Sequence, residues 1–170
     1  MTDQLWAPWR LKYIESADKM EGCIFCIFPR ENQSEDRQNL ILHRGEHAFI
    51  ILNAYPYSNG HLMVVPYCHS SSLEEIDNAA SLEVMHLLRL GTRLLRSAFH
   101  PDGFNLGVNM GRVAGAGIAD HLHWHIVPRW NGDCNFMPVL ADVRVIPESL
   151  EVVYDRLVEA LQLDGVCDEH

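Results

Sequence analysis

His121-Leu122-His123-Trp124-His125-Ile126-Val127-Pro128-Arg129 alternates imidazoles with apolar residues, and the rest of the chain is read outward from it. A period of two is that of a strand, which puts the three imidazoles on one face and Leu122, Trp124 and Ile126 on the other. One face is set for chemistry and the other for packing. Strand rise separates the first and third histidine stems by about 13 Å and neighbours by about 6.5 to 7 Å, so one ion can hold two of the rings but hardly all three. The three histidines therefore have different jobs. Ten histidines in the chain make chance clusters easier. Three at alternate positions, preceded by Gly115-Ala116-Gly117 and ended by Pro128-Arg129, are hard to read as purely structural.

The 170 residues fit one domain, large enough to bury a core without disulfides. An apolar content of 48% and a charged content of 21% are those of a soluble globule. No apolar run reaches membrane-spanning length, and Met1 to Arg10 lacks the basic start and apolar block of a secretory signal, so the expected location is the cytoplasm. Five cysteines, two of them in Cys23-x-x-Cys26, suit a reducing compartment and metal or redox chemistry better than a disulfide framework. A formal net charge of −10 argues against nucleic-acid binding. It leaves room for a small anionic substrate held by local donors such as Arg10, Arg112, Arg129 and backbone N–H groups.

Upstream of the triad, Leu5 to Tyr13 gathers two Trp and a Tyr without a clear period, an aromatic arm (residues 1–21) expected to pack over the core or a partner subunit. Gly22-Cys23-Ile24-Phe25-Cys26 is a tight knuckle whose two thiolates can supply half of a tetrahedral zinc site. The polar run Arg30 to Asn39 reads as an exposed loop. Ala48–Leu52 and Leu62–Val65 read as strands joined by a turn-rich connection, with His61 opening the second strand, Pro66 closing it and His69 in the following loop. Ser72-Leu73-Glu74-Glu75 has the form of a capping box, and Leu73, Ile76, Ala80, Val84, Leu87 and Leu95 recur at helical spacing, which predicts a long helix ending near Phe99. His86 and His100 fall on its surface. Phe104–Met110 reads as a strand, and the Gly-rich loop after it, with Gly115 and Gly117, lets backbone amides approach an anion. Asn131–Phe136 reads as a turn, and Pro147–Leu163 as a final helix with Gly165 just past its end. The order predicts an α+β domain: a mainly antiparallel sheet of about five strands, one long internal helix and a C-terminal helix.

These residues resemble the histidine triad (HIT) family of nucleotide hydrolases and transferases. The resemblance rests on His121-x-His123-x-His125 with Pro128-Arg129 behind it, on Cys23-x-x-Cys26, on Asn53 eight residues before His61 in Asn59-Gly60-His61, on Pro66 with His69, and on Asn109. It covers residues 22–138, the family core, and leaves 139–170 as a C-terminal extension. It implies a HIT-like fold in which His123 is the nucleophile that carries the nucleotidyl group, His125 positions the phosphate, and His61 orients the site. It further implies that Asn53 holds ribose hydroxyls, that Ile24, Phe25 and Ile51 line the base pocket, and that Asn109 lies near the phosphates. Zinc-containing relatives imply the ligand set Cys23, Cys26, His69 and His121, a closed site that stabilises structure and leaves no position for a reactive water.

Many family hydrolases carry Gly-Gln-Ser or Gly-Gln-Thr before the triad, whereas this chain has Gly115-Ala116-Gly117-Ile118-Ala119-Asp120. That segment, Trp130-x-Gly132-Asp133-x-Asn135 and the Trp6-Ala7-Pro8-Trp9-Arg10 start look more like the diadenosine tetraphosphate phosphorylase branch, where inorganic phosphate removes the nucleotidyl group. The alternatives are a HIT-family hydrolase of dinucleoside polyphosphates or nucleoside phosphoramidates, a non-catalytic zinc-stabilised nucleotide-binding module, and a metal hydrolase using two triad histidines as zinc ligands. Family resemblance, the apolar helix and the aromatic arm together imply a homodimer.

Overall fold

Every residue of two strands, β2 (Ala48–Leu52) and β3 (Leu62–Pro66), is buried, as inner strands covered on both faces must be. They are the middle of a five-stranded sheet in the computed structural model, which describes residues 22–133 and 148–165. The other strands are β1 (Ile41–Arg44), β4 (Gly103–Val108) and β5 (Trp124–Arg129). All pairs are antiparallel, in the order β1-β2-β3-β5-β4. Among the described residues, four α-helices accompany them: α1 (Ile24–Ile27), α2 (Asp36–Asn39), α3 (Asn78–Phe99) and α4 (Leu150–Leu163). The architecture is the expected α+β one.

Strand alternation sends the two faces of the sheet to different neighbours. Ile50, Leu52, Leu62, Val64 and Ile126 pack with Leu88, Leu94 and Leu95 of α3 and with Leu157 of α4. Gly91 permits the close approach of α3 to β5, since a Cβ there would lie 2.5 Å from Ile126 Cδ1. Phe49, Ile51, Met63 and Val65 face the other way, toward Phe25 of α1. Met63 pairs with His125, so the triad belongs to this second face. Helices α3 and α4 therefore back the sheet on one side, and the knuckle with α1 and the histidines occupies the other.

Several elements sit elsewhere than the sequence predicts. The triad strand begins only at Trp124, because its neighbour β4 ends at Val108, which pairs with Trp124. His121 to His123 precede the ladder, and the Leu122 N–H bonds instead to the Ser70 carbonyl at 2.8 Å. Helix α3 begins at Asn78, capped by Asp77, whose carboxylate accepts from the Ala80 N–H at 2.7 Å. Ser72 opens a separate 3-10 turn, Leu73–Glu75, and its hydroxyl goes to the Glu74 carboxylate rather than to a helix N–H. Arg30 to Asn39 contains a 3-10 turn and α2, held by Arg44, which bonds the Asp36 carboxylate at 2.6 Å and the Pro29 carbonyl at 2.5 Å. Strand β1, which that loop reading passes over, follows directly. Helix α4 starts at Leu150 with Ser149 as its cap, and Gly165 follows it at φ +71°. His86 and His100 are exposed, as expected. The aromatic arm, Pro147 and the part of the predicted turn from Cys134 onward lie outside the described residues.

Candidate active site

Each triad imidazole is held by a different partner, and each partner determines which ring nitrogen keeps a lone pair. His121 Nε2–H donates to the Pro66 carbonyl at 2.9 Å, which leaves Nδ1 as its acceptor. His123 Nδ1–H donates to the carbonyl of His121 at 2.9 Å, which leaves Nε2. His61 receives the Tyr57 N–H on Nδ1 at 3.0 Å, with the Asn53 amide 3.3 Å from the same atom. His61 must therefore carry its proton on Nε2, from which it donates to His125 Nδ1 at 3.0 Å. His125 in turn keeps a proton on Nε2. Nε2 of His123 has no hydrogen-bond partner among the described residues.

The lone pair of His121 points into the knuckle. Its Nδ1 lies 3.3 Å from Cys23 Sγ, 3.5 Å from Cys26 Sγ and 3.2 Å from His69 Nδ1, and His69 Nδ1 lies 3.3 Å from Cys26 Sγ. Ligands at about 2.0 to 2.3 Å from a tetrahedral ion stand roughly 3.3 to 3.8 Å apart, so these four atoms fit a zinc ion. All four lie within 4.8 Å of one another. Among the described residues this is the one cluster of three or more such ligands, and neither His123 nor His125 belongs to it. The Cys23 thiol is pushed up by burial, a shift that a bound cation reverses.

Burial also lowers the pKa of His121 and His123, and it pushes His125 down to about 4 with help from the neighbouring His123 ring. The His123 and His125 rings are thus neutral at neutral pH. Between about 4 and the ordinary 6.5, unfolded His125 binds a proton that the folded residue refuses. Its contribution to stability is complete above the upper value and is lost as pH falls through the window, by up to about 3 kcal/mol. Denaturant titrations from pH 7 to 4 should show a shallower loss for His125→Asn than for the unmodified protein.

The remaining expected residues fall around these rings. Phe25 is buried with its ring centroid 5.5 Å from that of His121 and 5.1 Å from that of His123. Ile51 is buried in the same cluster, and Ile24 packs against it while half-buried. Asn53 is half-buried, and its Oδ1 accepts from the Tyr55 N–H at 2.9 Å. Asn109 Nδ2 lies beside Gly115, 3.8 Å from where a Cβ would stand, and the φ of +93° at Gly115 favours glycine there. Gly117 is exposed in the same loop, and the next residue, Ile118, packs on the Phe25 cluster. Tyr57 escapes the sequence reading. Besides its N–H, its ring lies 4.6 Å from His61 and 5.7 Å from His125, and the only signal was its place four residues before His61.

The HIT domain family profile matches residues 33–132, more than half of the chain. The protein belongs to the HIT family. Among relatives of this HIT protein, a Mycobacterium tuberculosis protein named AP-4-A phosphorylase is 38% identical over 152 residues, covering 86% of this chain and 78% of that one. An Arabidopsis thaliana protein named adenylylsulfatase HINT3 is 32% identical over 121 residues, covering 71% and 59% respectively. The crystal structure of a zinc-bound histidine triad family protein from Mycobacterium smegmatis superposes with a TM-score of 0.67 at 29% identity, over 85% of this chain and 97% of that one. Among the described residues of the HIT chain, no helix is long and apolar enough to cross a membrane.

Proposed function

We propose that this HIT protein is a cytoplasmic, homodimeric nucleotidyl transferase that cleaves dinucleoside polyphosphates, diadenosine tetraphosphate first among them, by phosphorolysis. The observation that carries the reading is the unshared Nε2 lone pair of a buried, neutral His123, flanked by a His125 that keeps its Nε2 proton. His123 Nε2 attacks the α-phosphorus, an N–P bond forms, and the bridging P–O bond breaks to release ATP. An oxygen of inorganic phosphate then attacks the same phosphorus, and the N–P bond breaks to release ADP and restore the neutral ring. Splitting one displacement into two is what a nucleophilic imidazole offers. His125 donates to the phosphate oxygens, and His61 fixes its tautomer. Asn53 holds the ribose, Ile24, Phe25 and Ile51 form the base side, and Asn109 with the amides of Gly115 and Gly117 meets the phosphates. Cys23, Cys26, His69 and His121 would hold a zinc ion, and with four protein ligands such an ion would tie the start of the triad segment to the knuckle rather than supply a reactive water.

Phosphorolysis is preferred because the Mycobacterium tuberculosis relative bears that name and because the Gly115-Ala116-Gly117 loop lacks donor side chains. Hydrolysis is the second reading, favoured by the name of the Arabidopsis relative. Incubation with diadenosine tetraphosphate and phosphate should give ADP plus ATP, with little turnover when phosphate is left out. AMP plus ATP, or two ADP, would mean that water is the acceptor, and binding without any product would mean a nucleotide-binding module. Light scattering at micromolar concentration should report the mass of a dimer; a monomer mass would remove the homodimer from this reading.

A further inference from the structure

The loop that sets the tautomer of His61 is anchored from outside the site. Within it, Tyr57 N–H meets His61 Nδ1, and the Ser58 hydroxyl donates to the Pro128 carbonyl at 2.8 Å. The next residue, Asn59, is buried at 9% exposure, and its Nδ2 donates to Glu148 Oε2 at 2.8 Å. Arg156 of α4 donates from Nη1 to Glu148 Oε1 at 2.6 Å and from Nη2 to the carbonyl of Ala98 in α3. Its guanidinium lies 4.2 Å over the Phe99 ring. One carboxylate thus joins the end of α3, the start of α4 and the segment Tyr57 to His61.

An ion pair with side chains 41% and 27% exposed adds little stability by itself. The placement of this one gives it a different use. We propose that Glu148, held by Arg156 and acting through Asn59, is a positioning residue for the His61–His125 pair; this rests on the nucleotidyl transfer proposed above. If the loop relaxes, the Tyr57 N–H no longer occupies His61 Nδ1, and His61 can place its proton there instead. His125 Nδ1 then loses its donor, and the proton on its Nε2 is no longer enforced. The alignment of the phosphate oxygens suffers, although no residue that touches them has changed.

The test uses the full-length, zinc-loaded protein with 15N-labelled histidine. Long-range 1H–15N spectra should show single Nε2–H tautomers for His61 and His125. Glu148→Ala should convert both to mixtures and lower kcat about tenfold or more with KM little changed, the signature of a small misplacement at a distance. Glu148→Gln keeps an acceptor oxygen and should restore most of kcat and the single tautomers. Arg156→Met leaves the Asn59–Glu148 bond in place, and should give an intermediate shift that can be read even if Glu148→Ala fails to fold. Arg93→Ala is the matched control: it breaks the 2.8 Å bond to Asp164 that ties the far end of α4 to α3, and should leave kcat and tautomers unchanged. The proposal is overturned if folded Glu148→Ala or Arg156→Met keeps the original tautomers and kcat, or if Arg93→Ala loses as much kcat. Absence of turnover by the unmodified protein would sink the nucleotidyl-transfer reading instead, and the tautomer spectra would still decide the positioning role.

Discussion

Replacing His123 by Ala is expected to lower turnover of diadenosine tetraphosphate by roughly 10³-fold or more, as the loss of a covalent nucleophile does. Fold and metal content should survive, because His123 is not in the Cys–His cluster and its Nδ1 bond to the His121 carbonyl is a single local contact. His125→Ala should cost less, since it removes a donor and leaves the attacking nitrogen in place. Quenching a slow-substrate reaction without acid and digesting the protein should recover the nucleotidyl mass on the peptide spanning His121 to Arg129. A folded His123→Ala protein with near-normal turnover would defeat the assignment, because no other triad nitrogen is both neutral and unshared: His121 Nδ1 faces the knuckle and His125 Nδ1 faces His61.

The second large effect belongs to the knuckle. Cys23→Ser or His121→Ala should release zinc and lower stability by several kcal/mol, because metal binding confined to the folded state is folding free energy. His121→Ala loses two supports at once. It removes a ligand and also the bond to the Pro66 carbonyl, which ties the start of the triad segment to the end of β3. Activity should fall as a consequence of the loosened segment, and saturating substrate should recover part of the lost thermal stability. Elemental analysis of gently purified protein should find about one zinc per chain, paired with a chelator-induced drop in melting temperature. Protein that is fully folded and metal-free after such purification would remove zinc from the account.

Much of this protein was determined by local sequence. The alternation from His121 to Ile126 already separates a histidine face from an apolar one, and Leu122 and Ile126 do enter apolar clusters. The uninterrupted apolar runs of β2 and β3 announce inner strands, and the 3.6-residue recurrence through α3 announces the helix that covers them. The Cys-x-x-Cys spacing announces half a metal site. Such periodicities are properties of neighbouring residues, so they can be read without the fold.

What only the tertiary structure decided are the contacts between residues distant in sequence. The start of α3 depended on whether Ser72 or Asp77 capped it, a choice made when the Ser70 hydroxyl bonded Glu75 and left the intervening turn as a separate 3-10 element. The tautomers of the histidines came from carbonyls and amides that carry no sequence signal: Pro66 O for His121, His121 O for His123 and Tyr57 N–H for His61. Glu148 lies 89 residues from Asn59, and nothing in either neighbourhood points to the other. A backbone carbonyl is the same group at every position, and a proton's place on an imidazole follows from whichever such group lies opposite. That is settled only when the sheet and its helices bring the partners together.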